Sequence, residues 1–412
     1  MSINDQDDDY LQFTRKIYDI TQQIENWKRE HGLHALSSPP LRQPSLLSST
    51  CVLKEHQMKG LEWLVALDSC GYNGILGDDM GLGKTLQAIS YLAYRLGERG
   101  ERGPFLVVAP LTIVQNWREE LNRFCPSIRT VVYIGDQGER ESIQERIVEH
   151  VKKQVSGRGS SSIGADVNDP ELDFDVLVTS YEMILSDVNF LQRFKWRCVI
   201  VDEAHRLKNS ESKLYVTLKQ CFEMPRIILL TGTPVHNNLK ELCALMHFIL
   251  PDLFNEQEFL SWFPMDAIMS GDSKFILEDL HEILRPFILR RKKSDVLSDL
   301  PSKTELILYT TLSSMQKKYY KAILTKDRNA FGSKNKKSLT NILLNLRQCC
   351  NHPYMFDGAE PEPYVEGEHL INNSGKMVLL DKLLRRLRQD GHKVLIFSQM
   401  TSMLDILVCI FR

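Results

Sequence analysis

The chain has 412 residues, enough for two or three domains at roughly 150 residues each. Hydrophobic residues make up 43% and charged residues 25%, which excludes a collagen-like, mucin-like or wholly disordered polymer. With 51 basic and 53 acidic residues the formal net charge is −2, so a nucleic-acid role needs a local basic face rather than a global excess.

No apolar run approaches the roughly 18–20 residues of a membrane span. The acidic start, Met1 to Asp9, is not expected to act as a secretory or mitochondrial leader. The nine cysteines form no Cys-x-x-Cys pair, and the eleven histidines show no metal-ligand spacing beside them. Reduced, mostly buried thiols are the expectation.

Residues 1–47 read as a polar extension. Leu11, Phe13, Ile17, Tyr18, Ile20, Ile24 and Trp27 recur at helical spacing, and a Pro/Ser-rich linker follows. The helix could dock on the main body or stay mobile. From about residue 48 to 255, short apolar runs alternate with amphipathic stretches. Strands are expected at Gly74–Gly77, Phe105–Ala109, Thr130–Ile134, Val176–Thr179, Cys198–Val201 and Arg226–Leu230. Such runs, separated by helices, imply an α/β lobe with a parallel sheet covered on both faces. Residues 152–173 are polar and Gly/Ser-rich and read as a flexible surface insertion. Residues 256–345 look mainly helical and carry the basic block Arg290-Arg-Lys-Lys293. Residues 346–412 read as the start of a second lobe, with a strand at Lys393–Phe397 and a helix through Leu404 and Leu407.

The strongest chemical signal is Asp78-Asp-Met-Gly-Leu-Gly-Lys-Thr85, between an expected strand and an amphipathic helix. Glycines let successive backbone N–H groups turn toward one phosphate, and a helix N-terminus adds partial positive charge. Lys84 would neutralise the β/γ-phosphates, and the Thr85 hydroxyl would hold Mg²⁺. Asp78 stands where the strict pattern has glycine. The second signal is Val199-Ile-Val-Asp-Glu-Ala-His205, an apolar strand ending in two carboxylates. Asp202 would reach the Mg²⁺ shell, and Glu203 would orient and activate the attacking water. Thr231-Gly-Thr-Pro234 follows another strand, where its hydroxyls could hydrogen-bond Asp202 or His205.

In this order the motifs resemble those of the SNF2 family of superfamily 2 helicase-like ATPases, from about residue 50 to the end. The ISWI and chromodomain-helicase-DNA-binding-1-like branch is the nearest match, carried by Gln316–Ile323 and Phe356–Pro363. The resemblance implies a RecA-like P-loop lobe, a helical insertion and the beginning of a second RecA-like lobe. It assigns adenine reading to Gln57, and the nucleotide to Asp78, Gly81, Gly83, Lys84, Thr85 and His205. It makes Asp78 an ordinary member of motif I. Ala109–Trp117 and Thr179–Glu182 resemble the motifs that contact the DNA backbone, which implies DNA contacts at Pro110, Asn116, Trp117, Thr179 and Tyr181. Lys54, Lys59 and Arg118 belong to the same expected face. Trp117 reads equally well as a packing aromatic.

The implied cofactors are ATP and Mg²⁺. The implied partners are duplex DNA and nucleosomal histones, with possible remodeller-complex or regulatory partners and no membrane. The implied location is the nucleus, with chromatin remodelling and DNA repair as the setting. His236 departs from the family's usual glutamine. The arginines that reach the γ-phosphate belong to a motif downstream of the last residue given. Such an arginine is worth about 10³–10⁵ in rate, so this chain is expected to bind nucleotide better than it hydrolyses it. A binding-only form is the alternative. A metabolic P-loop kinase or transporter lacks a matching substrate site.

Overall fold

In the computed structural model, residues 3–31, 42–157, 172–232, 239–263, 274–297, 303–325, 341–364 and 367–411 are described. They form two compact units, residues 1–300 and 301–412.

The first unit is built on a seven-stranded parallel sheet. Its strands are β1 (Gly74–Leu76), β2 (Phe105–Ala109), β3 (Thr130–Tyr133), β4 (Val176–Ser180), β5 (Cys198–Val201), β6 (Ile227–Leu230) and β7 (Ile288–Leu289). The spatial order is β3-β4-β2-β5-β6-β1-β7. β1, β2, β4, β5 and β6 are buried at every position. Their largely apolar sequences follow from that, with Thr179 and Ser180 of β4 the buried polar exceptions: a parallel sheet covered on both faces has no polar side. The register sets Leu76 opposite Leu230 and Leu229 opposite Val201, so β1, β6 and β5 end along one edge. Neighbouring strands lie about 4.8 Å apart, so the ends of β1 and β5, separated by β6, are about 10 Å apart, a span that one extended ligand can bridge.

The helices that frame this edge are α1 (Ile3–Glu30), α2 (Glu55–Ser69), α3 (Lys84–Gly97) and α4 (Val114–Phe124). α1 docks on the body. Phe13, Ile17, Ile20 and Ile24 are buried, and Phe13 packs on Trp262 at 4.9 Å and on Phe254 at 5.5 Å between ring centroids.

Two findings depart from the sequence reading. Residues 256–345 were expected to form one helical region, yet Ile288–Leu289 joins β1 as a seventh strand. Two apolar residues after Pro286 carry no periodicity that would announce a strand. The Gln137–Gly157 helix runs into the expected insertion, whose residues 158–171 lie outside the described residues. The Pro/Ser-rich linker at 32–41 and Thr233, Pro234, His236 and Asn237 also lie outside them.

The second unit is helical where it is described. Helices Ser314–Leu324 and Ile342–Asn351 bury Ala322, Ile323, Cys349 and Phe356. Gln316, fully buried, ties three segments together, donating to Cys349 O at 2.9 Å and accepting from Ser313 N at 2.9 Å and Gly375 N at 3.0 Å. The expected strand at Lys393–Phe397 does not form. The run has no ladder partner among the described residues, and Leu395 and Phe397 are 84% and 89% exposed. A strand needs a neighbour to satisfy its backbone, so an apolar run alone does not make one.

Candidate nucleotide site

The loop after β1 is shaped for an anion. Gly81 (φ 87°) and Gly83 (φ 82°) lie in the left-handed region that side chains with a Cβ disfavour. Gly83 caps α3, and a Cβ there would collide with the Gln57 amide. Lys84 starts α3 and folds over the loop, donating to Asp78 O at 2.7 Å and Asp79 O at 3.4 Å. Burial lowers its ammonium pKa from the usual value of 10.5, against the opposing pull of Asp78, Glu203, Asp202 and Asp79. Lys84 thus lies in the field of both acids after β5. Thr85 follows, half-buried in the first turn of α3.

Gln57 and its neighbour His56 hold the loop from behind. Both side chains approach Leu82 O, at 3.3 Å and 3.0 Å, and the Gln57 carbonyl accepts from Lys54 N at 2.9 Å. Their anchoring of the phosphate loop was not legible in the sequence, because it rests on a contact 25 residues away.

Asp202 is buried, with Oδ2 accepting from Trp117 Nε1 at 2.8 Å and Oδ1 accepting from Glu203 N at 2.9 Å. Burial raises its pKa from the usual 3.8, and the Trp117 bond works in the other direction. Each carboxylate oxygen keeps a lone pair for a cation. Mg²⁺ commonly takes only one or two protein oxygens and fills its octahedron with phosphates and water. Asp202 and Thr85 fit that donor set. No cluster of three metal-ligating side chains exists among the described residues, so the phosphates and water would complete the shell.

Glu203 is the only described non-glycine residue with positive φ, at φ 52° and ψ 49°. Such strain persists where the surroundings over-determine it, and it clusters at active sites, ligand clamps and switch regions. The half-exposed His205 holds its Nδ1 3.2 Å from Glu203 Oε2. The Thr231 hydroxyl, expected on Asp202 or His205, is buried without a hydrogen-bond partner among the described residues. Gly232 lies close enough to Lys84 that a Cβ there would stand 3.7 Å from its Nζ.

The residues expected on DNA divide sharply. Pro110 is half-buried, and Asn116 and Arg118 are exposed. Trp117, Thr179 and Tyr181 are 1%, 0% and 2% exposed. Thr179 Oγ1 donates to Tyr133 O at 2.7 Å, and the Tyr181 hydroxyl donates to Asp202 O. All three side chains turn inward: Trp117 and Tyr181 onto Asp202, and Thr179 onto the neighbouring strand β3.

The basic block also belongs here. Arg291 grips the carboxylate of the fully buried Asp78, with Nε on Oδ1 at 3.0 Å and Nη2 on Oδ2. It also donates to Gln87 Oε1 at 2.8 Å and to His56 O. No spacing rule could pair residues 213 positions apart.

The SNF2-related domain family model matches residues 56–355. The chain is 48% identical over 370 residues to the ISWI chromatin-remodeling complex ATPase CHR11 of Arabidopsis thaliana, covering 89% of this chain and 33% of that protein. It is 45% identical over 384 residues to the chromodomain-helicase-DNA-binding protein 1-like of Mus musculus, covering 92% of this chain and 40% of that one. The chain thus spans roughly a third of the length of these relatives. Among solved structures it is similar to the Sulfolobus solfataricus SWI2/SNF2 ATPase core in complex with dsDNA. That match has a TM-score of 0.53 and 32% identity, covering 89% of this chain and 70% of that one. The Gly-rich loop after β1 and the acid pair after β5, with β6 between them, therefore lie in a chain that belongs to the SNF2 family of chromatin-remodelling ATPases, with ISWI and CHD1-like proteins among its relatives.

Proposed function

We propose that this chain is the ATP·Mg²⁺-binding part of a DNA-stimulated motor that moves duplex DNA on nucleosomes. The observation that carries this reading is the Lys84 ammonium lying over its loop within the field of Asp202 and Glu203. The bound cofactor supplies the transferable γ-phosphoryl group and its counter-ion. Gly81 to Thr85 receive the phosphates, Lys84 neutralises them, Thr85 and Asp202 hold the cation, and Glu203 orients and activates the attacking water. Gln57 serves the adenine, and His205 joins the site through Glu203.

The rim formed by Pro110, Asn116 and Arg118 supplies the DNA contacts. Trp117, Thr179 and Tyr181 act beneath that rim, since their burial leaves them no face for a phosphate. Phosphate contacts of this kind give affinity without sequence preference, which suits a motor that tracks a duplex. The chain works in the nucleus on chromatin, with histones and remodeller subunits as partners. No described helix is long and apolar enough to cross a membrane.

A second reading, binding with little turnover by these 412 residues, draws on Arg291. This arginine lies at the phosphate loop but is committed to Asp78, so it does not stabilise the γ-phosphoryl group. Steady-state ATP hydrolysis with and without duplex DNA separates the two. Strong DNA-stimulated turnover eliminates the binding-only form. No turnover, with nucleotide binding that disappears in Lys84→Ala, supports it. Nucleotide binding that survives Lys84→Ala overturns both.

A further inference from the structure

The segment after β7 lies along the phosphate loop. Gly77 N donates to Leu289 O at 2.7 Å, and Asp79 N donates to Arg291 O at 3.0 Å. In return Arg291 N donates to Asp78 Oδ1 at 3.1 Å, and Lys293 N to Asp79 Oδ2 at 3.0 Å. The loop is thus fastened on both acidic side chains that precede Gly81. Arg291 is spent on this fastening, with all its donor nitrogens engaged. Lys293 is not. Its side chain is exposed, and Cε and Nζ both stand 3.1 Å from where a Cβ on Gly81 would sit. Its ammonium meets no acceptor among the described residues. A solvated surface lysine would extend away from the body. This one lies over the positive-φ glycine of an anion-binding loop.

We propose that Lys293 is a second phosphate-binding ammonium of the nucleotide site, and that Arg291 is the positioning residue that brings it there by clasping Asp78. The inference rests on the reading of residues 78–85 as a phosphate loop. A polyphosphate enters between Lys84 and Lys293, and charge-assisted contacts from both sides neutralise it.

Titration of the 412-residue chain with a fluorescent ATP analogue and Mg²⁺, with ATP and ADP as competitors, tests this. Lys293→Ala is expected to weaken ATP about tenfold and ADP about threefold, because the triphosphate carries more charge to neutralise. Lys293→Arg is expected to restore most of the loss. Arg291→Lys keeps the charge but loses the fork, and is expected to weaken ATP more than ADP, as Lys293→Ala does; an equal loss of both would refute the positioning role. Complete removal of Arg291 would strand a buried carboxylate and risk unfolding, so the lysine variant and the exposed Lys293 carry the test. If Lys293→Ala binds both nucleotides like the parent while Lys84→Ala loses them, the second ammonium is refuted and the loop reading stands. If Lys84→Ala also binds like the parent, the loop reading itself is refuted and this inference goes with it.

Discussion

Trp117 donates its indole N–H to Asp202 Oδ2 at 2.8 Å, joining α4 to the acid at the end of β5 across 85 residues of sequence. Both groups are buried, so the bond is shielded from water and directed at a charge. Tyr181 donates to the backbone of the same aspartate. The two aromatics expected to touch DNA therefore hold Asp202 in place, and the Trp117 bond also lowers its pKa against the effect of burial. A shift of α4 against a duplex would be felt at Asp202 through this bond.

Trp117→Phe keeps most of the packing and removes the donor. A hydrogen bond to a charged group contributes about 1.5–3 kcal/mol, and chemical denaturation is expected to show a loss of that order. The pH response follows from the sign of the shift. Burial raises the Asp202 pKa above 3.8, so the native state holds a proton that the unfolded chain has released. Its contribution to stability therefore falls as pH rises through the window above 3.8. Cation binding needs the charged form, so Mg²⁺-dependent nucleotide affinity falls as pH drops through that window. Trp117→Phe removes a bond that lowers the pKa, so the acid loss of Mg²⁺ affinity is expected to begin at a higher pH than in the parent. An unchanged onset would show that the indole does not govern this carboxyl.

Glu203 is held at positive φ, which costs an ordinary L-residue roughly 1–2 kcal/mol. Glu203→Gly is expected to raise the thermal midpoint by about 2 °C, while nucleotide still binds and hydrolysis is lost. Glu203→Ala, which keeps the Cβ, is expected to lose hydrolysis without the gain in stability. Scanning calorimetry of the two variants side by side distinguishes backbone strain from a change of charge.

The docking of α1 rests on Phe13 between Phe254 and Trp262. Phe→Ala at a buried site costs about 3–5 kcal/mol, more than a single surface helix is expected to tolerate. Hydrogen exchange of Phe13→Ala should therefore quicken along α1 while the amides of β1, β5 and β6 keep parental rates. Equal acceleration in the sheet would mean that α1 is part of the folding core instead of a docked strap.

Lys84 gives a second pH test of opposite sign. Burial lowers its pKa from 10.5, so the native state sheds a proton that the unfolded chain still holds. Stability contributed by this group therefore rises with pH between the lowered native value and 10.5. Urea midpoints of the parent and Lys84→Met are expected to converge or cross in the parent's favour as pH climbs through that window. Parallel curves would place the ammonium in an exposed environment.

Six strands were legible because each is a mostly apolar run bounded by turns, and the Gly-rich loop and the acid pair stood out because each is a short contiguous run directly after such a strand. The strand at Ile288–Leu289 was hidden, since two residues carry no period and only the β1 edge gives them a role. Arg291 was hidden for the same reason: its fork meets Asp78 only after the chain has folded through 213 residues. Trp117 was ambiguous because an aromatic on an amphipathic helix suits a core or a ligand equally, and the acid beside it decides for the core. At Lys393–Phe397 the apolar pattern suggested a strand, but pairing is a property of a neighbour and not of the run.

One nucleotide is expected between Lys84 and Thr85 beyond the end of β1 and Asp202 and Glu203 beyond the end of β5. A crystal grown with Mg²⁺ and a non-hydrolysable ATP analogue tests it directly. The expected result is triphosphate density over Gly81 to Thr85, with a metal ion bridging Thr85 and Asp202 to the phosphates. Density for the analogue elsewhere, or an empty phosphate loop in a crystal that holds the analogue, would contradict it.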